Sequence, residues 1–105
     1  NSTGVIYKDG KRFIHNFQHP TGDTAPPKGG NTFVGVNAGN FTMGSTVTPT
    51  ATYSASYNTA VGYGNLQANT TGYSNTAIGY RVLYNNTSGS LNVGLGTYVL
   101  NSNTT

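Results

Sequence analysis

The hexapeptide Asn-Thr-Ala-Val-Gly-Tyr at 58–63 returns as Asn-Thr-Ala-Ile-Gly-Tyr at 75–80, and this recurrence constrains the fold more than any other feature of the chain. Copies open at Asn58, Asn75 and Asn92, seventeen residues apart. An earlier copy opens at Asn31, twenty-seven residues before Asn58, which is one period plus a ten-residue insertion. Three places after each opening Asn stands a branched aliphatic (Val34, Val61, Ile78, Leu95), and a glycine follows it (Gly35, Gly62, Gly79, Gly96). Eight places after the opening Asn stand Leu66, Leu83 and Leu100, with Gly39 as the exception in the first copy. Repeats of this kind mark stacked arrays, in which one unit cannot bury its apolar side alone and its neighbours complete the core.

Seventeen residues are too few for a helix pair or a propeller blade. They suit one coil of two short strands and two turns, since strands of about five residues at about 3.3 Å per residue span roughly 17 Å. The expected fold is all-β, a 17-residue-repeat parallel β-roll or solenoid with an N-terminal β-hairpin. Alternation over 75–80 sets Ala77 and Gly79 on one side and Ile78 and Tyr80 on the other. Ile78 and then Leu83 are expected to point into the roll, which leaves the Ala/Gly face to be covered by another chain. "NTTG" and "NNTSG" read as turns, because Gly supplies positive φ and Asn tolerates it. The glycine after each aliphatic reads as a site of close backbone approach.

Composition supports the all-β reading. The 105 residues hold 15 Gly and eight Tyr, with 34% apolar and only 7% charged residues, against a usual charged share of about 25%. A coil with two buried aliphatics gains about 1.5–3 kcal/mol from each, while ordering the backbone costs about 1–2 kcal/mol per residue. A single-file coil is therefore marginal. Association is expected, most simply as an intertwined or side-by-side homotrimer.

The front of the chain differs from the array. Val5–Lys8 and Lys11–His15 flank Asp9-Gly10, the dipeptide favoured in two-residue hairpin turns. "QHPTGDTAPPKGGN" carries three prolines and no apolar run, so it reads as loop. Residues 1–30 thus form a hairpin and a Pro/Gly loop, a cap or a junction. Residues 31–105 form the four-copy array, with its insertion at 44–57.

The pattern "NTAxGYxxLxxNTTGxx" at Asn58–Ser74, with its counterpart at Asn75–Leu91, resembles the repeats of bacterial trimeric fibres, in tail-fibre-like and autotransporter-adhesin-like surface proteins. The resemblance covers about three quarters of the chain closely. The period departs from the fourteen residues typical of autotransporter heads. The likeness implies an obligately trimeric stalk or head outside a cell or on a phage, built as a left-handed parallel β-roll or related trimeric structure. The function this implies is a structural and adhesive module that presents a repetitive surface to cells or glycans. A self-polymerising extracellular filament is the alternative.

Catalysis has little to work with. The chain has no Glu and no Cys, and its acids are Asp9 and Asp23, so paired-carboxylate and thiol chemistry are ruled out. No nucleophile motif is present, and no enzyme activity is expected. The glycines follow the structural period rather than a phosphate loop, so neither nucleotide cofactor nor nucleic acid is an expected partner. No apolar run is long enough for membrane insertion. His15 and His19 straddle a strand end and Pro20, and packing or solvation is favoured over metal binding. The cations Lys8, Lys11 and Arg12 could meet anionic glycans, although a role in hairpin solubility is preferred. Tyr63 and Tyr80 share a repeat position and should stack as a ladder. With Tyr53, Tyr57, Tyr73 and Tyr84 they are the candidate ligand contacts, since ring faces stack on the C–H patches of sugars.

Overall fold

The computed structural model describes residues 5–105. Asp9 and Gly10 take φ values of 51° and 74°, the two positive values that a primed two-residue turn requires. They join β1 (Ile6–Lys8) to β2 (Lys11–His15) as an antiparallel hairpin with a register shift between Ile6 and Tyr7. One strand then begins each copy, namely β3 (Thr32–Val34), β4 (Thr59–Tyr63), β5 (Thr76–Tyr80) and β6 (Val93–Thr97). The six form a single mixed sheet in chain order. β2 meets β3 antiparallel, and β3 to β6 run parallel. No helix occurs among the described residues, so none is long and apolar enough to cross a membrane.

The parallel register follows the sequence repeat residue for residue. Thr59 faces Thr76, Ala60 faces Ala77, Val61 faces Ile78, Gly62 faces Gly79 and Tyr63 faces Tyr80. The remainder of each copy is turn, not the second strand expected from its length. The cause is local. Leu66, Leu83 and Leu100 have φ near 54° (55°, 52° and 53°), and Arg81 and Tyr98 have 53° and 55°. Positive φ at two positions so close together breaks an extended run. These turn segments still bond copy to copy, as in Leu66 N–H to the Val82 carbonyl (3.2 Å) and Leu83 N–H to the Val99 carbonyl (3.0 Å).

The two faces of the sheet are the reverse of the expectation for Ile78. The row His15, Phe33, Ala60, Ala77 and Gly94, one residue per strand in register, is buried. The neighbouring row Ile14, Val34, Val61, Ile78 and Leu95 lies on the other side, with Val61 38%, Ile78 41% and Leu95 62% exposed. Alternation separates the two sets correctly, but it does not say which set is inside. The space behind the strands is already taken by Leu66, Val82 and Leu83, each wholly buried. Only Ala or Gly fits between those side chains and the strand. Leu83 therefore points inward as expected, and Leu66, at the same repeat position, does the same. Leu100, in the last copy, is 41% exposed.

The exception at Gly39 is explained by a size exchange. Gly39 has φ +62°, as the leucines at its repeat position do, and a Cβ there would strike the Phe33 ring at 2.7 Å. The second and third copies pair a small strand residue with a large turn residue, Ala60 with Leu66 and Ala77 with Leu83. The first pairs Phe33 with Gly39. Volume-conserving exchanges of this kind keep a core at native density.

The interior also contains ladders of asparagine. The N–H groups of Asn58, Asn75 and Asn92 donate to the Oδ1 atoms of Asn31, Asn58 and Asn75 at 2.9, 3.0 and 3.1 Å. Asn75 Nδ2 donates to the Gly89 carbonyl (2.8 Å) and Asn86 Nδ2 to Asn69 Oδ1 (3.1 Å). Asn31, Asn58, Asn69, Asn75 and Asn86 are buried. Each copy thus satisfies buried polar groups of the next, as burial of an amide demands.

Gly62 and Gly79 bear out the reading of close backbone approach, because a Cβ on either would fall on the carbonyl oxygen of the glycine one copy on. Gly72 and Gly89, in the "NTTG" and "NNTSG" turns, are not at positive φ. A Cβ on either would instead collide with the asparagine ladder and with backbone of the following copy.

The insertion folds back onto the front loop. Asp23, Thr24 and Ala25 all donate N–H bonds to the Val47 carbonyl (2.9, 3.2 and 3.4 Å), and Lys28 N–H reaches the Thr52 carbonyl (2.8 Å). Val47 and Ala55 are each only 1% exposed.

Candidate functional site

The outer face of the sheet carries in-register rows of partly exposed aliphatic and aromatic side chains. The aliphatic row Ile14, Val34, Val61, Ile78 and Leu95 runs across it, and Ile6, 57% exposed, is registered against Ile14. One step along the strands, Tyr63 and Tyr80 stack with ring centroids 5.5 Å apart and planes at 15°. Tyr98 then meets Tyr80 edge-on at 5.4 Å, and its hydrogen bond raises the pKa of the Tyr80 hydroxyl above its ordinary value. The strands on this face carry no charged residue from Thr32 onward. Apolar rows on a molecule only 16 Å thin in its shortest direction form a patch of the sort that marks an interaction surface.

The other tyrosines are spread out. Tyr53, in the insertion, and Tyr73 meet edge to face at 4.8 Å. Tyr57 is 48% exposed and lies against Gly30. Tyr84 lies beneath the Arg81 guanidinium at 4.8 Å, on a turn rather than on the sheet. The six candidate contacts therefore divide into the Tyr63/Tyr80 ladder, the Tyr53/Tyr73 pair, and Tyr57 and Tyr84 individually.

The histidines do not come together as a site. His15 is 3% exposed. Its Nε2–H donates to the Ala38 carbonyl (2.9 Å) and its Nδ1 accepts the Phe17 N–H (3.2 Å), so neither nitrogen is free for a metal. Burial lowers its pKa below 6.5; the Ala38 bond opposes this and the Arg12 charge adds to it. His19 Nδ1 accepts the Gly22 N–H (2.9 Å). Among the described residues no group of three His, Cys, Asp or Glu could hold a metal ion.

At the hairpin, Lys8 and Asp9 approach at 3.8 Å with both side chains exposed, a contact of little energetic weight. Arg12 is different. Its guanidinium lies 4.8 Å above the Phe41 ring, and Phe41 packs edge-on against His15 (4.8 Å) and stacks on Phe17 (5.1 Å). Asn37 and Phe41 escape a reading of the sequence because they belong to the turn after β3 and reach the hairpin only through tertiary folding. No family model, curated protein or solved structure matches the chain.

Proposed function

We propose that this chain is a structural and adhesive module of an extracellular fibre, a parallel β-roll that assembles as a homotrimer and presents repeated side chains to cells or glycans. The observation that carries the reading is the in-register aliphatic row on the outer face, Ile14 through Leu95. Its residues recur at the separation of adjacent strands, about 4.8 Å, and from Val34 to Leu95 those strands are parallel. A second copy of the same chain, related by rotation about an axis along the stacking direction, matches that spacing over every step. An unrelated partner has no reason to. The inner face, with its alanines and asparagine ladders, is complete within one chain, so assembly by this reading covers the outer aliphatic face and not the Ala/Gly face. The number three and the location outside a cell or on a phage come from the resemblance to trimeric fibre repeats.

Light scattering and sedimentation over a range of concentrations test the reading. A constant mass of about 33 kDa, three copies of an 11.0 kDa chain, supports the closed trimer. A mass that rises without limit favours the filament, in which copies add end to end at a sheet edge. A folded monomer at micromolar concentration overturns both.

A further inference from the structure

The hairpin and the first turn of the array enclose a cleft of about 370 Å³ lined by Tyr7, Gly10, Lys11, Arg12, Asn37 and Phe41. Small-ligand sites span about 300–1,000 Å³, so the cleft suits a compact ligand. Two cationic residues, Lys11 and Arg12, line it, and the lone ion pair among the described residues is Lys8–Asp9, elsewhere on the hairpin tip. No carboxylate of the described residues neutralises Lys11 or Arg12. Arg12 is held in place by Phe41 below it, yet its polar contacts are poor. Its Nη2 reaches the Gly39 carbonyl at a long 3.4 Å, and its Nε is out of contact with solvent and has no acceptor. With its face on an aromatic ring and its Nε shut off from solvent, the guanidinium meets an anion through its terminal nitrogens, whose planar fork matches the paired oxygens of an acidic group.

The rest of the lining suits a ring. Tyr7 is 50% exposed and registered opposite Arg12, so an aromatic face stands beside the cation. Asn37 supplies an amide, which pairs with hydroxyl groups. Gly10 leaves open space where a side chain would stand, since nothing lies within 4 Å of a Cβ built on it.

The geometry points to this cleft as a binding site for an acidic sugar, a pyranose ring bearing a carboxylate or sulfate whose anionic group meets Arg12 and Lys11 while the ring rests on Tyr7. The site deepens the adhesive part of the function proposed above and rests on it. Assembly is a separate matter, because the cleft is built within one chain.

The test is an NMR titration of the full chain with glucuronic acid, glucose 6-sulfate, glucose and inorganic phosphate. Glucuronate, glucose 6-sulfate or both should shift the amide signals of Gly10, Lys11 and Asn37 and bind about tenfold or more tightly than glucose; which of the two binds names the anion. Arg12→Gln should weaken binding about tenfold and Tyr7→Ala about fivefold. Lys11→Gln, at an exposed position, should weaken it about threefold and covers the case in which loss of Arg12 unfolds the hairpin. Equal binding of glucose and glucuronate overturns the proposal. So does phosphate binding as tightly as the acidic sugars, which would mean charge attraction without ring recognition, and so does the absence of any shift. The mass of the same sample by light scattering reports assembly independently, so a silent cleft in a stable trimer would sink the sugar site alone.

Discussion

Ala77 and Ile78 are adjacent in the chain and sit on opposite faces of the same strand, one wholly buried and the other 41% exposed. Around Ala77 every contact is specified within the chain. A leucine fills the space behind it, an asparagine ladder bonds copy to copy, and a glycine lets the backbones approach. Around Ile78 the row is equally regular but faces outward, with aliphatic neighbours in register and no element covering them. The contrast separates two jobs that a single hydrophobic pattern could have shared. Small strand residues, turn leucines and asparagines build the chain's own core, and the strand aliphatics are left on the outer face.

The strongest test of the inner face uses the exchange between Phe33 and Gly39. Phe33→Ala should cost about 3–5 kcal/mol, as removal of a buried aromatic usually does, and Gly39→Leu alone should clash with the ring. The double variant, which gives the first copy the Ala/Leu pairing of the second and third, should recover at least half of the loss in urea unfolding. Additive losses would mean that the first copy is not built as the others are.

Removing one rung of the ladder comes next. Asn75→Ala deprives the Asn92 N–H and Nδ2 of their acceptor and removes one of the two donors to the Gly89 carbonyl and to Asn58 Oδ1, and unsatisfied buried groups cost about 1–3 kcal/mol. A loss of about 2 kcal/mol or more is expected from chemical denaturation. A near-neutral result would mean that the asparagine ladder does not hold the copies together.

The outer face should respond in the opposite way. Ile78→Ser should change the stability of the isolated chain by about 1 kcal/mol or less, while lowering the mass of the assembly at micromolar concentration. If Ile78→Ser and Asn75→Ala both unfolded the chain to the same degree, the distinction between the two faces would fail.

The smallest effect concerns His15. Burial depresses its pKa below the unfolded value of 6.5, so the folded state favours the neutral ring, which can accept the Phe17 N–H. Its contribution is present above pH 6.5 and is lost as pH falls from there through the folded-state value. The urea midpoint should therefore drop between pH 7.5 and pH 5, and His15→Gln should flatten that drop. An unchanged midpoint in the wild-type chain would argue against a neutral, buried His15.

Much of the fold is legible in the chain. Asp9-Gly10 announces the hairpin through backbone preference alone, and the recurrence of Asn, Ala, aliphatic and Gly announces strands pairing at seventeen residues. The glycine after each aliphatic takes its reason from spacing. The turn that replaces a second strand in each copy is not legible, because leucine and arginine carry no local sign of positive φ, and tertiary packing holds them there. The ladders inside escape for a related reason. Asparagine in a turn-rich sequence reads as turn chemistry until the neighbouring copy is placed beside it.

Of the candidate contacts, the Tyr63/Tyr80 stack follows from shared repeat position, whereas the pairing of Tyr53 with Tyr73 and the cleft around Arg12 depend on where the insertion and the first turn fold back.

The sequence by itself determined the period, the all-β character and the partition of each strand into two sets of side chains, because these depend on local backbone geometry and on spacing. Only the tertiary structure decided which set lies inside. That choice depends on the volume left behind the strand once the turn leucines are in place, and a volume exists only when the chain is folded.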